Sequence, residues 1–341
     1  MSTLYVSRVG LGLQEALDTC QSGDSIVIVD RYLDTEEPVV IDKDNITLEG
    51  KTVSMLVGIR AIGIRVVGNQ VTLKNLEVKG FDDIGIQIEG NETVVEHCYI
   101  YHNGGHGMMI KGNDSIIRYN SIYLNNDAGS SGFKILRGTG ISLEGEGHKI
   151  NNNLCMFHYD YGIYSNSPLT YSTIKNNSIK CLNQHDWEYK KNYDIAILHS
   201  ESSHNCIQAN HLYSYTGIRL AGPENLIERN QFSENKIACI LSSSHNQVMH
   251  NMIIKANQIG LCIKKGKNHI TKNVISKSKM YGITIEADDN VIQWNLITSN
   301  NSGIQNEGIH NVIENNSFYN NEQDITEEIP NNKQKGVSDN E

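Results

Sequence analysis

Hydrophobic positions along this chain fall into a short motif: Gly or Ala, an apolar residue, any residue, then another apolar residue. The anchor of each copy is Gly63, Gly85, Gly107, Gly140, Gly162, Ala196, Gly217, Ala238, Gly260, Gly282 and Gly303, at intervals of 21 or 22 residues apart from two of 33 and 34. The position after the anchor is apolar in all eleven copies. Within one copy, Gly63-Ile64-Arg65-Val66 alternates in and out and Gly68-Asn69 turns. Val71-Thr72-Leu73 alternates again, Asn75 bends the chain, and Leu76-Glu77-Val78 completes the unit. An apolar period of two excludes helical repeats. Three short strands cannot bury a face alone, but they do so when each unit winds into a coil and stacks on the next. At about 4.8 Å per coil, the anchored coils make a rod about 50 Å long.

Asn recurs at the second bend, at Asn210, Asn230, Asn251, Asn273, Asn295 and Asn316. Asn tolerates left-handed backbone angles, and stacked Asn side chains bond to one another along a column. With these features the chain resembles the right-handed parallel β-helix of the pectate-lyase-like superfamily, including its NosD-type repeat proteins, over roughly residues 10–322. The resemblance implies an all-β, single-stranded right-handed parallel β-helix of about eleven to twelve coils. Leu13-Gln14-Glu15-Ala16-Leu17-Asp18 reads as its short N-terminal capping helix, within residues 10–24. Residues 1–322 form the expected domain, and the Glu-, Asn- and Lys-rich residues 323–341 a polar tail. The last coil then needs cover from the tail, a protein partner or another copy of the chain. This fold hosts lyases, hydrolases, epimerases and non-catalytic proteins, so activity is sought in the departures from the repeat.

The two long intervals place extra residues just before an anchor, at 125–137 and at 183–194. Both are expected to leave the same turn two coils apart and to wall a cleft about 10 Å wide. The alternative is a pair of tolerated surface insertions. This edge carries Arg137, His158, Tyr159, Asp160 and Asp194, and the second insertion adds Trp187. Asp160 and Asp194 read as one column, one coil apart. Stacked carboxylates beside a cation suit proton transfer with charge stabilisation, and Tyr and Trp suit sugar stacking. A salt-bridge and aromatic patch without chemistry is the competing reading. Outward positions of the strand after each anchor, among them Lys111, Tyr164 and Arg219, give a mixed-charge track of the kind a polymer follows.

His106 stands in the column before the anchor, whose other members are largely apolar, so a packed corner residue competes with a substrate contact. Asp82-Asp83 and Gly105-His106-Gly107 are similar to motifs of polygalacturonase-type hydrolases, although no Arg-Ile-Lys follows. Residues 251–280 hold seven lysines and no acid, which reads as an anion-gripping patch or a solvated face.

Composition narrows the partners. The 341 residues carry 29 Lys and Arg against 39 Asp and Glu, a net charge of −10, which argues against nucleic acid. No apolar stretch is long enough to span a bilayer. The N-terminal residues have neither the basic nor the apolar region of a secretory signal, and seven scattered cysteines without a C-x-x-C pair fit reduced thiols in a cytoplasmic protein. No motif calls for a cofactor or a metal. Carboxylates at Asp82, Asp83 and Asp160 suit Ca²⁺, but no spacing specifies it. The leading expectation is a carbohydrate-directed protein acting on an anionic, uronic-acid-containing saccharide as a lyase or epimerase. In it Asp160, Asp194 or His158 handles the proton, and Arg137 or Lys111 stabilises the developing charge. Tyr159, Tyr164, Trp187, Arg219 and His106 bind substrate. The rival is a non-catalytic scaffold that assembles with itself or with a protein at the C-terminal end.

Overall fold

The structure, a computed structural model, describes residues 1–35, 37–58, 60–125, 138–181 and 192–327. A regular coil contributes a five-residue first strand and two three-residue strands, as in His106–Ile110, Ile116–Arg118 and Ser121–Tyr123. First strands stack as a 13-stranded parallel sheet from Val39–Ile41 to Gln323–Glu327. Second and third strands form one 25-stranded sheet that covers the other two faces. The chain is therefore an all-β, right-handed parallel β-solenoid with one short helix. Two coils escape the anchor motif because Pro38 and Asp324 stand where most others carry Gly, so the expected coil count was slightly low. The strand Gln323–Glu327 also extends the ladder past residue 322, the expected end of the β-helix. Residues 328–341 lie outside the described residues.

The helix Leu13–Thr19 buries Leu13, Ala16 and Leu17, one face at helical spacing, against the first coil. It is not the first element, since Thr3–Val6 already pairs in parallel with Ser25–Ile28. Among the described residues no helix is long and apolar enough to cross a membrane.

Strict alternation fails at the anchor. Ile86 and Ile88 point inward, but so does Gly85, and in the five-residue first strands the outward positions are the first and fourth. Two successive inward residues leave no room for a side chain at the anchor. A Cβ on Gly85 would lie 2.7 Å from the Asn103 amide nitrogen and 2.8 Å from the Gly107 carbonyl oxygen. The stacked Ile141, Ile163, Ile195 and Ile218 fill the core beside this column, each fully or almost fully buried and each contributing about 2 kcal/mol.

The Asn column does its work differently from the expectation. Left-handed angles fall on the exposed residue before it, such as Arg229 (φ 55°), His250 (φ 56°) and Trp294 (φ 59°). The buried Asn bridges coils instead. Asn251 Nδ2 donates to Asn273 Oδ1 (3.0 Å) and to the Ile227 carbonyl (2.9 Å), while its Oδ1 accepts from the Asn230 amide (2.8 Å). The ladder runs unbroken from Asn120 to Asn316. A second ladder, Asn205 to Asn311, lines the first bend.

Candidate functional site

The third bend is where the columns change chemistry. Asn103 and Asn125 begin a ladder there, with Asn103 Nδ2 donating to Asn125 Oδ1 at 2.9 Å. His158 takes the next position. Its Nε2 meets the Ile122 carbonyl at 3.0 Å, as Asn125 Nδ2 meets that of Ile100. His158 is fully buried, and burial pushes its pKa down to about 4. It is a ladder residue in the wall, so the expectation that it handles a substrate proton is corrected.

Asp194 is corrected for a related reason. The register pairs Tyr161 with Tyr193 and Ile163 with Ile195, so Asp194 rather than Ala196 lies in the anchor column opposite Gly162. This two-residue slip turns Ile195 inward and places Ala196 in the outward column beside Tyr164. Asp194 therefore points inward and is 0% exposed. It accepts hydrogen bonds from the Ser214 amide (3.0 Å) and the Ser214 hydroxyl. Burial raises its carboxyl well above the usual carboxylate range. Cys181 and Ser214 stand here in place of the larger Asn, which makes room for a side chain at the anchor. Asp160 and Asp194 do not share a column: Asp160 sits in the bend, half-buried.

The backbone of Asp160 joins the ends of the two insertions. Its amide donates to the Gly138 carbonyl (3.0 Å) and its carbonyl accepts from the Tyr193 amide (2.8 Å). Both insertions thus return to the rod on one edge, a coil above and a coil below Asp160. The insertions are largely undescribed, and Arg137 and Trp187 lie outside the described residues. Between these roots the outer face of the first-strand sheet is covered. All five residues of Thr139–Leu143 and of Tyr193–Ile197 are buried, against three of five in Tyr161–Ser165.

Three tyrosines meet on that face. Tyr161 stacks on Tyr164 with centroids 4.3 Å apart and on Tyr193 at 5.5 Å. Arg219 Nη1 donates to the Tyr193 hydroxyl at 3.4 Å, and the buried Arg219 Nε has no hydrogen-bond partner. Tyr164 and Arg219 are therefore brought together, and Tyr159 lies half-buried at the adjoining bend. His106 is in the outward first column, two coils from Tyr161, and its buried Nδ1 has no partner. Burial lowers its pKa against the pull of Asp83. Lys111 follows its strand where Asp160 precedes one, a separation of roughly 20 Å along the strand direction, so the two do not share a reacting centre. Sequence reasoning puts Tyr193 in the bend beside Asp194 rather than on this strand face, because it sets the anchor at Ala196. The alternative frame Asp194-Ile195-Ala196-Ile197 was the available signal. The lysines of 251–280 ring the rod rather than form a patch: Lys267, Lys272 and Lys277 occupy left-handed positions at three different bends.

The sequence matches the family described as "Periplasmic copper-binding protein (NosD)" over residues 183–335, and "Right handed beta helix region" over residues 60–185. Among solved structures, it is similar to a mannuronic acid specific polysaccharide family 6 lyase from human gut microbiota. The TM-score is 0.65 at 11% identity, covering 97% of this chain and 92% of that one. The A-module of mannuronan C-5 epimerase AlgE6 from Azotobacter vinelandii gives 0.62 at 10% identity, with 93% and 94% covered. Pectate lyase Pel9A gives 0.52 at 13% identity, with 93% and 79% covered. The fold is that of the pectate-lyase-like β-helices. No curated protein matches the sequence of this β-helix. At these identities the likeness speaks for the fold of the β-helix, and its chemistry must be argued from its own side chains.

Proposed function

We propose that this β-helix is carbohydrate-directed and takes a uronate-containing saccharide on the outer face between its two insertion roots. The observation that carries the reading is the Tyr161, Tyr164 and Tyr193 stack beside an Arg219 guanidinium with an unsatisfied nitrogen. Aromatic surfaces contact the apolar faces of sugar rings, and a guanidinium with free donors suits a carboxylate. The similar structures act, by their names, on mannuronic acid, mannuronan and pectate, all uronates, which supports the same class here.

Elimination and epimerisation of a uronate both begin by removing the proton beside its carboxylate, which needs a base and a cation. With Asp194 and His158 in the wall, Asp160 at the bend and His106 on the outer face are the proton-handling groups left to such a reaction. The scaffold reading gains from the same corrections, since two expected catalytic groups serve the wall. Among the described residues no group of three or more His, Cys, Asp or Glu gathers to hold a metal, so the copper of the matched family's description finds no cluster there. Seven free thiols support a reducing, cytoplasmic setting.

The test is a panel of trimannuronate and trigalacturonate, read for unsaturated product by absorbance and for inverted residues by proton NMR. Turnover that Asp160→Asn or His106→Gln abolishes supports the enzyme. Binding that Tyr164→Ala and Arg219→Ala weaken, without turnover, supports a binding protein. Absence of both turnover and binding removes the proposal.

A further inference from the structure

A second concavity lies on another face of the rod, on the ladder of third strands. It encloses about 340 Å³, and its lining includes Met156, Ser178, Lys180, His211, Tyr213 and Gln231. That volume falls in the range of small-molecule sites, about 300–1,000 Å³. Its origin can be read from the outward positions of successive strands. Leu154 and Met156 project from one strand, and Met252 and Ile254 from another four coils on. Between them the small Ser178 and Ser233 leave the surface low. The hollow therefore runs along the rod axis over several coils, each rising about 4.8 Å.

The chemistry of this hollow differs from that of an ordinary solvated strand face. Lys180 Nζ lies 4.7 Å over the Tyr213 ring, and the Tyr213 hydroxyl donates to Glu234, so the ring is held from two sides. Lys180 is the one lysine of the lining, which contains no carboxylate. Ser178, His211 and Gln231 supply hydrogen-bonding groups around an apolar floor of Ile179 and Leu212, with Met156 at the wall. None of these residues belongs to the tyrosine patch on the first-strand sheet.

We propose that this hollow is a second saccharide subsite, taking a short carboxylate-bearing oligosaccharide laid along the rod axis. Lys180 pairs with the carboxylate, Tyr213 and Met156 make the apolar contact, and the polar groups meet sugar hydroxyls. The saccharide class rests on the reading above, but the place and the residues do not. A chain bound at both faces would be engaged at two points, so the subsite raises the effective concentration of a polymer at the insertion edge.

Calorimetric titration of the full chain with trigalacturonate, and with maltotriose as neutral control, tests this. Two binding events are expected for trigalacturonate. Lys180→Glu and Tyr213→Ala each weaken one event at least tenfold and leave the other, and Arg219→Ala does the reverse. Loss of all binding in Arg219→Ala, or a single event that Lys180→Glu leaves unchanged, overturns the second subsite. Loss of all binding in Lys180→Glu with full binding in Arg219→Ala upholds the subsite and overturns the tyrosine patch instead. Equal affinity for maltotriose at the Lys180 event overturns the carboxylate assignment, and no binding of either sugar overturns both sites.

Discussion

The C-terminal coils and the middle coils of this rod are built on the same plan and differ in how strictly they keep it. From Asn205 onward the anchors are spaced by 21 or 22 residues and two bends carry unbroken Asn ladders. In the middle, Ser115, His148 and Ser172 hold the first-bend column in place of Asn. His158, Cys181 and Ser214 interrupt the third-bend ladder, and Asp194 replaces an anchor Gly. The third bend departs from Asn in the C-terminal coils too, at Ala256 and Ser278, but there every anchor from Gly217 to Gly303 stays Gly or Ala. A solenoid tolerates such changes because each coil answers only to its neighbours, and the neighbours in the middle have adjusted: smaller bend residues accompany the larger anchor.

Breaking the regular half should cost most. Asn251→Ala removes three donated and two accepted bonds inside a dry column and leaves their partners unsatisfied. A loss of about 3–5 kcal/mol is expected from denaturant titration. The same substitution at an exposed left-handed position, His250→Ala, should change stability by under about 1 kcal/mol.

The middle half should answer to pH. The folded pKa of His158, about 4, lies below its unfolded value, so its contribution is complete above about pH 6.5 and is lost as pH falls toward 4. The shift corresponds to about 3 kcal/mol. His158→Asn, which restores the residue type of Asn125, should flatten that acid limb, and a variant with an unchanged limb would deny His158 its place in the ladder. Asp194 has the opposite sign. Its folded pKa is raised, so stability falls as pH rises through and above the ordinary carboxylate range. Asp194→Ala, which strands Ser214, should cost about 2–3 kcal/mol at neutral pH. Asp194→Asn should cost less and should gain relative to the parent toward alkaline pH, as thermal unfolding at several pH values would show.

These responses also explain what could be read from the chain alone. The anchor Gly column was legible because two inward residues in succession exclude a side chain, a constraint that leaves a mark in the sequence. Asp194 was not, because a carboxylate in that column looks like a surface residue until Ser214 is seen beneath it. His158 looked catalytic for the same reason: a buried imidazole and an exposed one are the same letter. The left-handed positions are richest in Asn and His but also carry Lys, Glu, Tyr and Trp, so no single residue type marks them. The insertions were visible as length, and the shared edge of their roots followed from counting. The tyrosine patch was legible only in part, since Tyr193 joins it through a register that an equally good alternation concealed.

The smallest expected effects are on the outer face. Tyr164→Ala and Arg219→Ala should each lower uronate affinity about tenfold while leaving the unfolding curve nearly unchanged, because neither side chain holds a ladder. The central claim, that a saccharide lies between the insertion roots, is tested most directly by hydrogen–deuterium exchange with and without trigalacturonate. The account predicts added protection in peptides covering Thr139–Leu143, Tyr161–Ser165 and Tyr193–Ile197. Protection confined to other coils, with these three strands unchanged at saturating sugar, would contradict it.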